Sequence, residues 1–143
     1  MRIRYFILIF LAISIITELR GQDLKLTPIP DSIRENADAV IRLYEQEIDV
    51  RSESSLKMQV HTVMTVMNRS GESKARLMLP YDNFKSPSAI NIKIYDFLGK
   101  RIKSVKDKDI QDYSSYDGFS LYTDNRIKYY KPVLNSFPYT VEI

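Results

Sequence analysis

One stretch, residues 89–105, constrains the fold of this 143-residue chain more than any other. Apolar residues occupy every second position at its start, which is the period of a β-strand with one buried face. These residues are Ile90, Ile92 and Ile94. A turn ending in Gly99 follows, since glycine readily adopts positive φ, and a second strand returns with Ile102 as its inward residue. The stretch therefore predicts a β-hairpin around which other strands pack.

Residues 1–21 have the three parts of a secretory signal peptide. Arg2 and Arg4 form a basic start, twelve apolar residues follow, and Gly21 provides the small residue before a cut at Gln22. Twelve residues are fewer than the ~20 needed to span a bilayer, which favours cleavage over retention as a membrane anchor. We expect export to the periplasm, cell envelope or extracellular space, with no stable membrane span after cleavage.

Residues 22–143 have the length of one domain that buries a core of its own. Without the charged residues of the signal peptide, 21 basic and 18 acidic residues become 18 and 17. The exported part is thus nearly neutral, whereas a nucleic-acid-binding face needs a strong basic excess. No nucleic-acid partner is predicted.

The residue types exclude several kinds of catalytic and metal site. The chain has no cysteine and one histidine, so a thiol nucleophile, a disulfide and a zinc site built from several His or Cys ligands are excluded. His61 lies in a strand pattern and no nucleophile-elbow motif is present, so we interpret it as a surface or packing residue. The prediction is a non-enzymatic protein without a cofactor.

The first half of residues 22–143 contains few helical signals. A single helical turn is expected near residues 31–36, because Asp31 or Ser32 can cap it. Residues 37–50 predict two strand segments joined by a bulge near Glu45, since the parity of the apolar positions switches there. A helix over residues 38–46 is the alternative.

The following segments read as strands. Residues 58–67 predict a long strand, and residues 74–79 return from a turn as its hairpin partner. A polar loop is expected at residues 113–120 and a further strand at 121–130. The final run, 139–143, begins a strand without a closing turn, so the domain is interpreted as incomplete at its C-terminus. An unpaired last strand would leave an open sheet edge that invites association.

These short hairpins predict an all-β fold, an antiparallel β-sandwich built of hairpins with at most one short N-terminal helix. The predicted organisation is a signal peptide at residues 1–21 and one β-sandwich domain at residues 22–143.

Aromatic residues concentrate in the last third of the chain. Tyrosine offers a flat apolar face with a polar tip, which suits stacking on a sugar or gripping a protein surface. The candidate ligand-binding residues are Tyr113, Tyr116, Tyr122 and Tyr130. The alternative is that these tyrosines have a packing role, partly in the core and partly at the strand edges.

Acidic residues also gather in this region, and calcium prefers such oxygen ligands. Their spacing departs from a calcium-binding loop, because Asp112 stands where glycine is needed and Gly118 where a bidentate glutamate is needed. No metal site is predicted. The residues concerned are Asp107, Asp109, Asp112, Asp117 and Asp124.

Several ordered blocks resemble the DUF3857 family, a domain of unknown function. They include Asn36-Ala37-Asp38-Ala39-Val40, Asn68-Arg69-Ser70-Gly71, Ile94-Tyr95-Asp96-Phe97-Leu98-Gly99-Lys100, Asp109-Ile110-Gln111-Asp112, Tyr122-Thr123-Asp124-Asn125-Arg126 and Phe137-Pro138-Tyr139-Thr140-Val141. The resemblance implies a β-sandwich that precedes a transglutaminase-like domain in exported bacterial proteins, with the catalytic Cys, His and Asp in that later domain. It also implies that this chain is a truncated representative.

The main hypothesis is therefore an exported, non-catalytic β-sandwich module that supports a neighbouring transglutaminase-like domain or another envelope protein. The alternative is a carbohydrate- or peptidoglycan-binding module that uses the tyrosine-rich region 113–130, with a glycan as its ligand.

Overall fold

The computed structural model describes residues 29–115 and 124–143, and these residues form eight β-strands, one helical turn and two 3₁₀ segments. The predicted signal peptide lies outside the described residues. In chain order the elements are α1 (Asp31–Arg34), β1 (Ala39–Ser52), β2 (Ser55–Val66), a first 3₁₀ segment (Arg69–Ala75), β3 (Leu77–Tyr81), β4 (Ile92–Tyr95), β5 (Arg101–Val105), a second 3₁₀ segment (Asp107–Asp109), β6 (Gln111–Ser114), β7 (Arg126–Tyr130) and β8 (Tyr139–Glu142).

The strands form two antiparallel sheets. The larger has five strands in the order β1-β2-β8-β4-β5, and the smaller has three in the order β3-β7-β6. Buried residues of both sheets belong to one hydrophobic cluster, so the sheets pack face to face. This confirms the predicted all-β antiparallel sandwich with one short N-terminal helix.

The core follows from the period-two alternation of the strands. Ile92 and Ile94 in β4 and Tyr139 and Val141 in β8 point to the same side and are each 1% exposed. Burying one such side chain stabilises the fold by about 1.5–3 kcal/mol. The other buried members are Val66, Ala75, Val105, Ile110 and Tyr130.

The predicted hairpin at residues 89–105 is present as β4 and β5. Gly99 has a φ of 79°, and Asp96 Oδ1 accepts hydrogen bonds from the backbone N–H groups of Leu98 and Lys100. The prediction for Ile102 was wrong, since the register of the pair shifts between Ile94 and Tyr95 and Ile102 lies 45% exposed in this irregularity. Val105, opposite Ile92, is the buried residue of β5.

β1 is one continuous strand, so the alternative helix over residues 38–46 was wrong. Its register with β2 shifts between Ile41 and Leu43, three residues before the bulge predicted near Glu45, and again between Val50 and Ser52. Pairing along β2 supplies backbone hydrogen bonds over almost the whole strand, and this outweighs the helical propensity of its Ala, Arg, Leu and Glu residues.

β2 and β3 do not form the predicted hairpin. The chain between them contains the first 3₁₀ segment, in which Asn68 Oδ1 accepts a hydrogen bond of 3.2 Å from the backbone N–H of Gly71. This turn carries the chain to the other sheet, where β3 pairs with β7. Two further boundaries differ, because Tyr113 lies in β6 rather than in a loop and the predicted strand at 121–130 begins, within the described residues, at Arg126.

The last strand lies in the middle of its sheet, whereas the prediction placed it at an open edge. β8 pairs with β2 on one side and β4 on the other, so it lies in the middle of the five-stranded sheet. The prediction of an open edge at residues 139–143 was therefore wrong. The edges of this sheet are β1 and β5.

Gly71 gives a direct test of the packing between β1 and the first 3₁₀ segment. A Cβ at this position would overlap the carbonyl oxygen of Asp38, which is backbone and has little room to move. We expect Gly71→Ala to lower the free energy of unfolding by about 1–3 kcal/mol, measured by urea denaturation. Ser73→Ala, at an exposed position of the same 3₁₀ segment, is the control. Equal unfolding midpoints for the two variants would contradict the close approach.

Candidate functional site

The hairpin of β1 and β2 extends well beyond the body of the sandwich. Every residue from 44 to 60 is exposed, although the two strands remain paired from Tyr44 opposite Thr62 to Ser52 opposite Ser55. We call residues 44–60 the arm. It is a two-stranded ribbon that the three-stranded sheet does not cover.

The register of the arm separates its side chains into two different faces. Directly opposed residues of an antiparallel pair point to the same side, so Ile48 lies beside Met58 and Val50 beside Leu56. On the other side, Asp49 lies opposite Lys57 and Glu47 opposite Gln59. The arm therefore has one apolar face and one charged face. The apolar side chains of this face are Tyr44, Ile48, Val50, Leu56, Met58 and Val60, and the polar Gln46 lies among them, opposite Val60.

The apolar face is an uncovered continuation of the core. Met58 and Val60 have the same parity in β2 as Met64 and Val66, which pack within the hydrophobic cluster. The six apolar side chains of this face are nevertheless 40–69% exposed. Contiguous apolar patches on ordinary monomers reach only ~300–600 Å², and larger ones mark interaction sites. Six neighbouring large apolar side chains, each about half exposed, form such a patch on the arm.

A polar cluster lies at the base of the arm, on the face of the five-stranded sheet that points away from the core. Glu142 of β8 is its centre: Tyr95 Oη donates to Glu142 Oε2 at 2.6 Å and Lys93 Nζ does so at 3.4 Å. His61 Nε2 lies 3.2 Å from Glu142 Oε1, and its Nδ1 lies 3.6 Å from Glu45 Oε2. His61 thus bridges the base of the arm to the centre of the sheet.

The surroundings of Glu142 change its protonation behaviour. Burial alone would raise the pKa of this carboxyl, but the hydrogen bond from Tyr95, the charge of Lys93 and the contact with His61 outweigh burial and hold the pKa below its ordinary value of 4.5. Burial, followed by the hydrogen bond to Glu142, raises the pKa of Tyr95 to about 12. At the centre of the cluster, the negative charge of the Glu142 carboxylate is therefore stabilised by the surrounding donors.

A second polar cluster joins the three strands of the smaller sheet. Tyr81 Oη donates to Asp112 at 2.7 and 2.9 Å, and Arg126 Nε donates to both Tyr81 Oη and Asp112 Oδ1. Lys128 Nζ lies 3.1 Å from Asp112 Oδ2. The hydrogen bond from Tyr81, supported by the two cations, lowers the pKa of Asp112. These contacts link β3, β6 and β7 to one another.

The structure does not bring the predicted ligand-binding tyrosines together. Tyr113 is half exposed, and its ring centroid lies 6.4 Å from that of Tyr129. Tyr130 points to the opposite face of the sheet, where it is 8% exposed in the core and Lys103 Nζ lies 5.6 Å from its ring centroid. Tyr116 and Tyr122 lie outside the described residues.

Three of the acidic residues considered for calcium have partners of their own. Asp109 accepts from the backbone N–H of Lys106, Asp112 belongs to the cluster with Tyr81, and Asp124 accepts from Asn83. Asp117 lies outside the described residues. Within residues 29–115 and 124–143, no group of three or more His, Cys, Asp or Glu side chains is placed to hold a metal ion.

The sequence contained a signal for the arm that its interpretation missed. Acidic residues alternate with Tyr44, Ile48 and Val50, which is the pattern of a strand with one apolar face. Alternation does not show whether a second sheet covers that face. The position of His61 in the polar cluster was also not visible in the sequence. His61 meets Glu142 because β2 and β8 are adjacent in the sheet, although the two residues are 81 positions apart in the chain.

Comparison with known proteins places the chain in a family. The model of a domain of unknown function with solved structure, DUF3857, matches residues 52–143. The chain belongs to the DUF3857 family. No curated protein and no solved structure matches it. The family match confirms the resemblance seen in the sequence and begins at the end of β1, so it includes β2 and all later strands of this DUF3857 chain.

In the described part of this DUF3857 chain, no helix is long and apolar enough to cross a membrane.

The lowered pKa of Glu142 predicts a pH-dependent contribution to stability. Since the folded-state pKa lies below 4.5, the charged cluster stabilises the fold above that pH, and the stabilisation is lost as the pH falls from 4.5 through the folded-state value. We expect Glu142→Gln to be less stable than wild type at neutral pH, with a difference that shrinks below pH 4.5. Thermal unfolding at a series of pH values measures this difference.

The control is Glu47→Gln, an exposed carboxylate on the same side of the sheet. Its difference from wild type should stay small and constant with pH. A difference for Glu142→Gln that does not change with pH would show that the cluster does not depend on the charge of Glu142.

Proposed function

We propose that this DUF3857 chain is an exported, non-catalytic β-sandwich module whose arm docks onto a neighbouring protein domain. The observation that carries the proposal is the uncovered apolar face of residues 44–60, since such a surface on a folded module marks an interaction site. Leaving it in water is unfavourable, so a docked partner gains the free energy of its burial.

The composition of the arm supports docking. A protein interface has an apolar centre with aromatic and methionine residues and a polar rim. Met58 and Ile48 lie opposite each other in the middle of the apolar face, and Tyr44 lies near its base. Methionine adapts its shape to a partner, and tyrosine provides a large rigid contact area.

The resemblance of the sequence to modules that precede transglutaminase-like domains supports such a domain as the partner. Another envelope protein is the second choice of partner. The basic, apolar and small-residue segments of residues 1–21 support export. The chain has no cysteine, so a thiol nucleophile of the transglutaminase-like reaction belongs to the partner domain.

The docking proposal predicts the effect of the double variant Ile48→Thr, Met58→Thr. Threonine keeps a high strand propensity and removes the apolar contact from the centre of the face. We expect binding to a transglutaminase-like domain from the same organism to weaken about tenfold or more, as for central interface residues, measured by isothermal titration calorimetry. The control is Glu35→Gln, at an exposed residue next to α1 and away from the arm, which should leave the affinity unchanged.

Equal affinities of Ile48→Thr, Met58→Thr and of the Glu35→Gln control would contradict docking through the apolar face. Hydrolysis of peptide bonds or transamidation by the purified protein without a partner domain would contradict the non-catalytic role.

Glycan binding is the second candidate function, and the outer face of the smaller sheet favours it. Tyr113 and Tyr129 present neighbouring rings there, and tyrosine rings stack on sugars. If this function operates, Tyr113→Ala abolishes the heat of binding to peptidoglycan fragments in calorimetry. Phe84→Ala, at an aromatic side chain that is 98% exposed, leaves that heat unchanged. No heat with wild-type protein would rule out this candidate.

A further inference from the structure

β1 offers a free strand edge in addition to the apolar face of the arm. One side of β1 pairs with β2, and no described strand pairs with the other side. Its register is unbroken from Leu43 to Val50, and residues 44–52 are exposed. Within residues 29–115 and 124–143, no strand uses the backbone N–H and C=O groups along this side, and such an edge can accept another strand.

This edge has acidic side chains but lacks several other features that protect sheet edges. Natural edges are shortened, bulged, or provided with proline or with charged side chains, lysine above all. β5, the other edge of the same sheet, has five residues, an irregular register near Ile102 and the cations Arg101 and Lys103. Residues 43–50 of β1 contain no lysine, proline, glycine or bulge. The contrast indicates that β1 is suited to accept a strand.

The side chains of this edge specify the charge of its partner. Glu45, Glu47 and Asp49 alternate along one face, and Glu47 forms no ion pair with any described residue. A strand added at this edge places every second side chain beside this acidic row. Basic side chains at these positions are favoured, and acidic ones are repelled.

β2 shows how a strand matches β1. It places Lys57 opposite Asp49 and His61 opposite Glu45. Leu56, Met58 and Val60, which alternate with these residues in β2, lie on the apolar face. A partner with the same alternation would continue both faces of the arm on the free side of β1.

The acidic row also disfavours a second copy of this chain. Antiparallel pairing of two β1 edges with their apolar faces aligned sets carboxylates opposite each other, as Glu47 opposite Glu47 or Glu47 opposite Asp49. Parallel pairing in register aligns the whole acidic row with itself. Directly opposed like charges destabilise strand pairing, so the edge selects a different, basic strand.

We infer that the free edge of β1 binds an extended segment of a partner protein in which lysine or arginine alternates with apolar residues, adding it as a sixth strand. The inference rests on the proposed docking function and names the segment that the arm accepts. Affinity comes from backbone hydrogen bonds along residues 43–50, and specificity comes from the acidic row. A third strand also stabilises the arm, since two-stranded hairpins are only marginally stable in water.

The test uses the synthetic peptide acetyl-Val-Lys-Ile-Lys-Val-Lys-Ile-amide with the full chain. Two peptides serve as comparisons: one with glutamate in place of each lysine, and one with the same composition but its three lysines adjacent. We expect the alternating basic peptide to bind at least about tenfold more tightly than either, measured by calorimetry at low salt. Hydrogen exchange should slow in residues 43–50 and remain unchanged in β5.

Glu47→Lys provides the charge reversal in the middle of the acidic row. It should weaken binding of the basic peptide at least about tenfold and strengthen binding of the acidic peptide. Glu35→Lys makes the same change in net charge at an exposed residue next to α1 and should leave both affinities within about twofold. Circular dichroism of both variants checks that they are folded.

Equal affinities for the basic and acidic peptides, or added protection from exchange only outside residues 43–60, would overturn the inference. A dimer with residues 43–50 already protected in the free protein would overturn it as well, because the edge would then be filled by a second copy. If the peptides fail but Ile48→Thr, Met58→Thr still weakens docking, only the strand-addition inference falls. If that double variant also has no effect, the proposed docking function falls with it.

Discussion

The insertion of β8 between β2 and β4 is the contact on which the larger sheet depends. β8 is only four residues long, but it pairs on both sides and buries Tyr139 and Val141 in the core. Thr140 adds a buried hydrogen bond of 2.9 Å between its Oγ1 and that of Thr65. Without β8, the hairpin of β1 and β2 would have no connection through the sheet to that of β4 and β5.

This central position joins parts of the chain that are far apart in sequence. β2 and β8 are separated by β3 to β7, so the five-stranded sheet cannot be complete until the end of the described chain is in place. Closing such a long loop costs conformational entropy before the contact is gained. The polar cluster around Glu142 also depends on the placement of β8, because this strand brings Glu142 next to His61 and Tyr95.

The shape of the arm follows from unequal strand lengths. β1 has 14 residues and β2 has 12, whereas the strands of the opposing sheet have four or five. The first part of β2 therefore extends past the smaller sheet, and its alternating apolar residues meet solvent. Its last residues, including Val66, meet the core. The alternating apolar residues of β2 thus pack in the core at one end of the strand and form a candidate interaction surface at the other.

Local features of the sequence predict several strands and their two-sided character. Alternating isoleucines predicted β4, Gly99 predicted the turn, and the ordered blocks predicted membership of the DUF3857 family. These features are local, and they depend on the period of a strand and on the conformational freedom of glycine.

Which strands pair, which of them form edges and which apolar faces are covered depends on contacts between distant parts of the chain. Val141 and Val50 both lie in alternating strands, yet Val141 is buried between the sheets and Val50 is exposed on the arm. Similarly, Tyr113 and Tyr130 lie in neighbouring strands but on opposite faces. Burial depends on which distant segment packs against a residue, and the local alternation of the sequence does not contain that information.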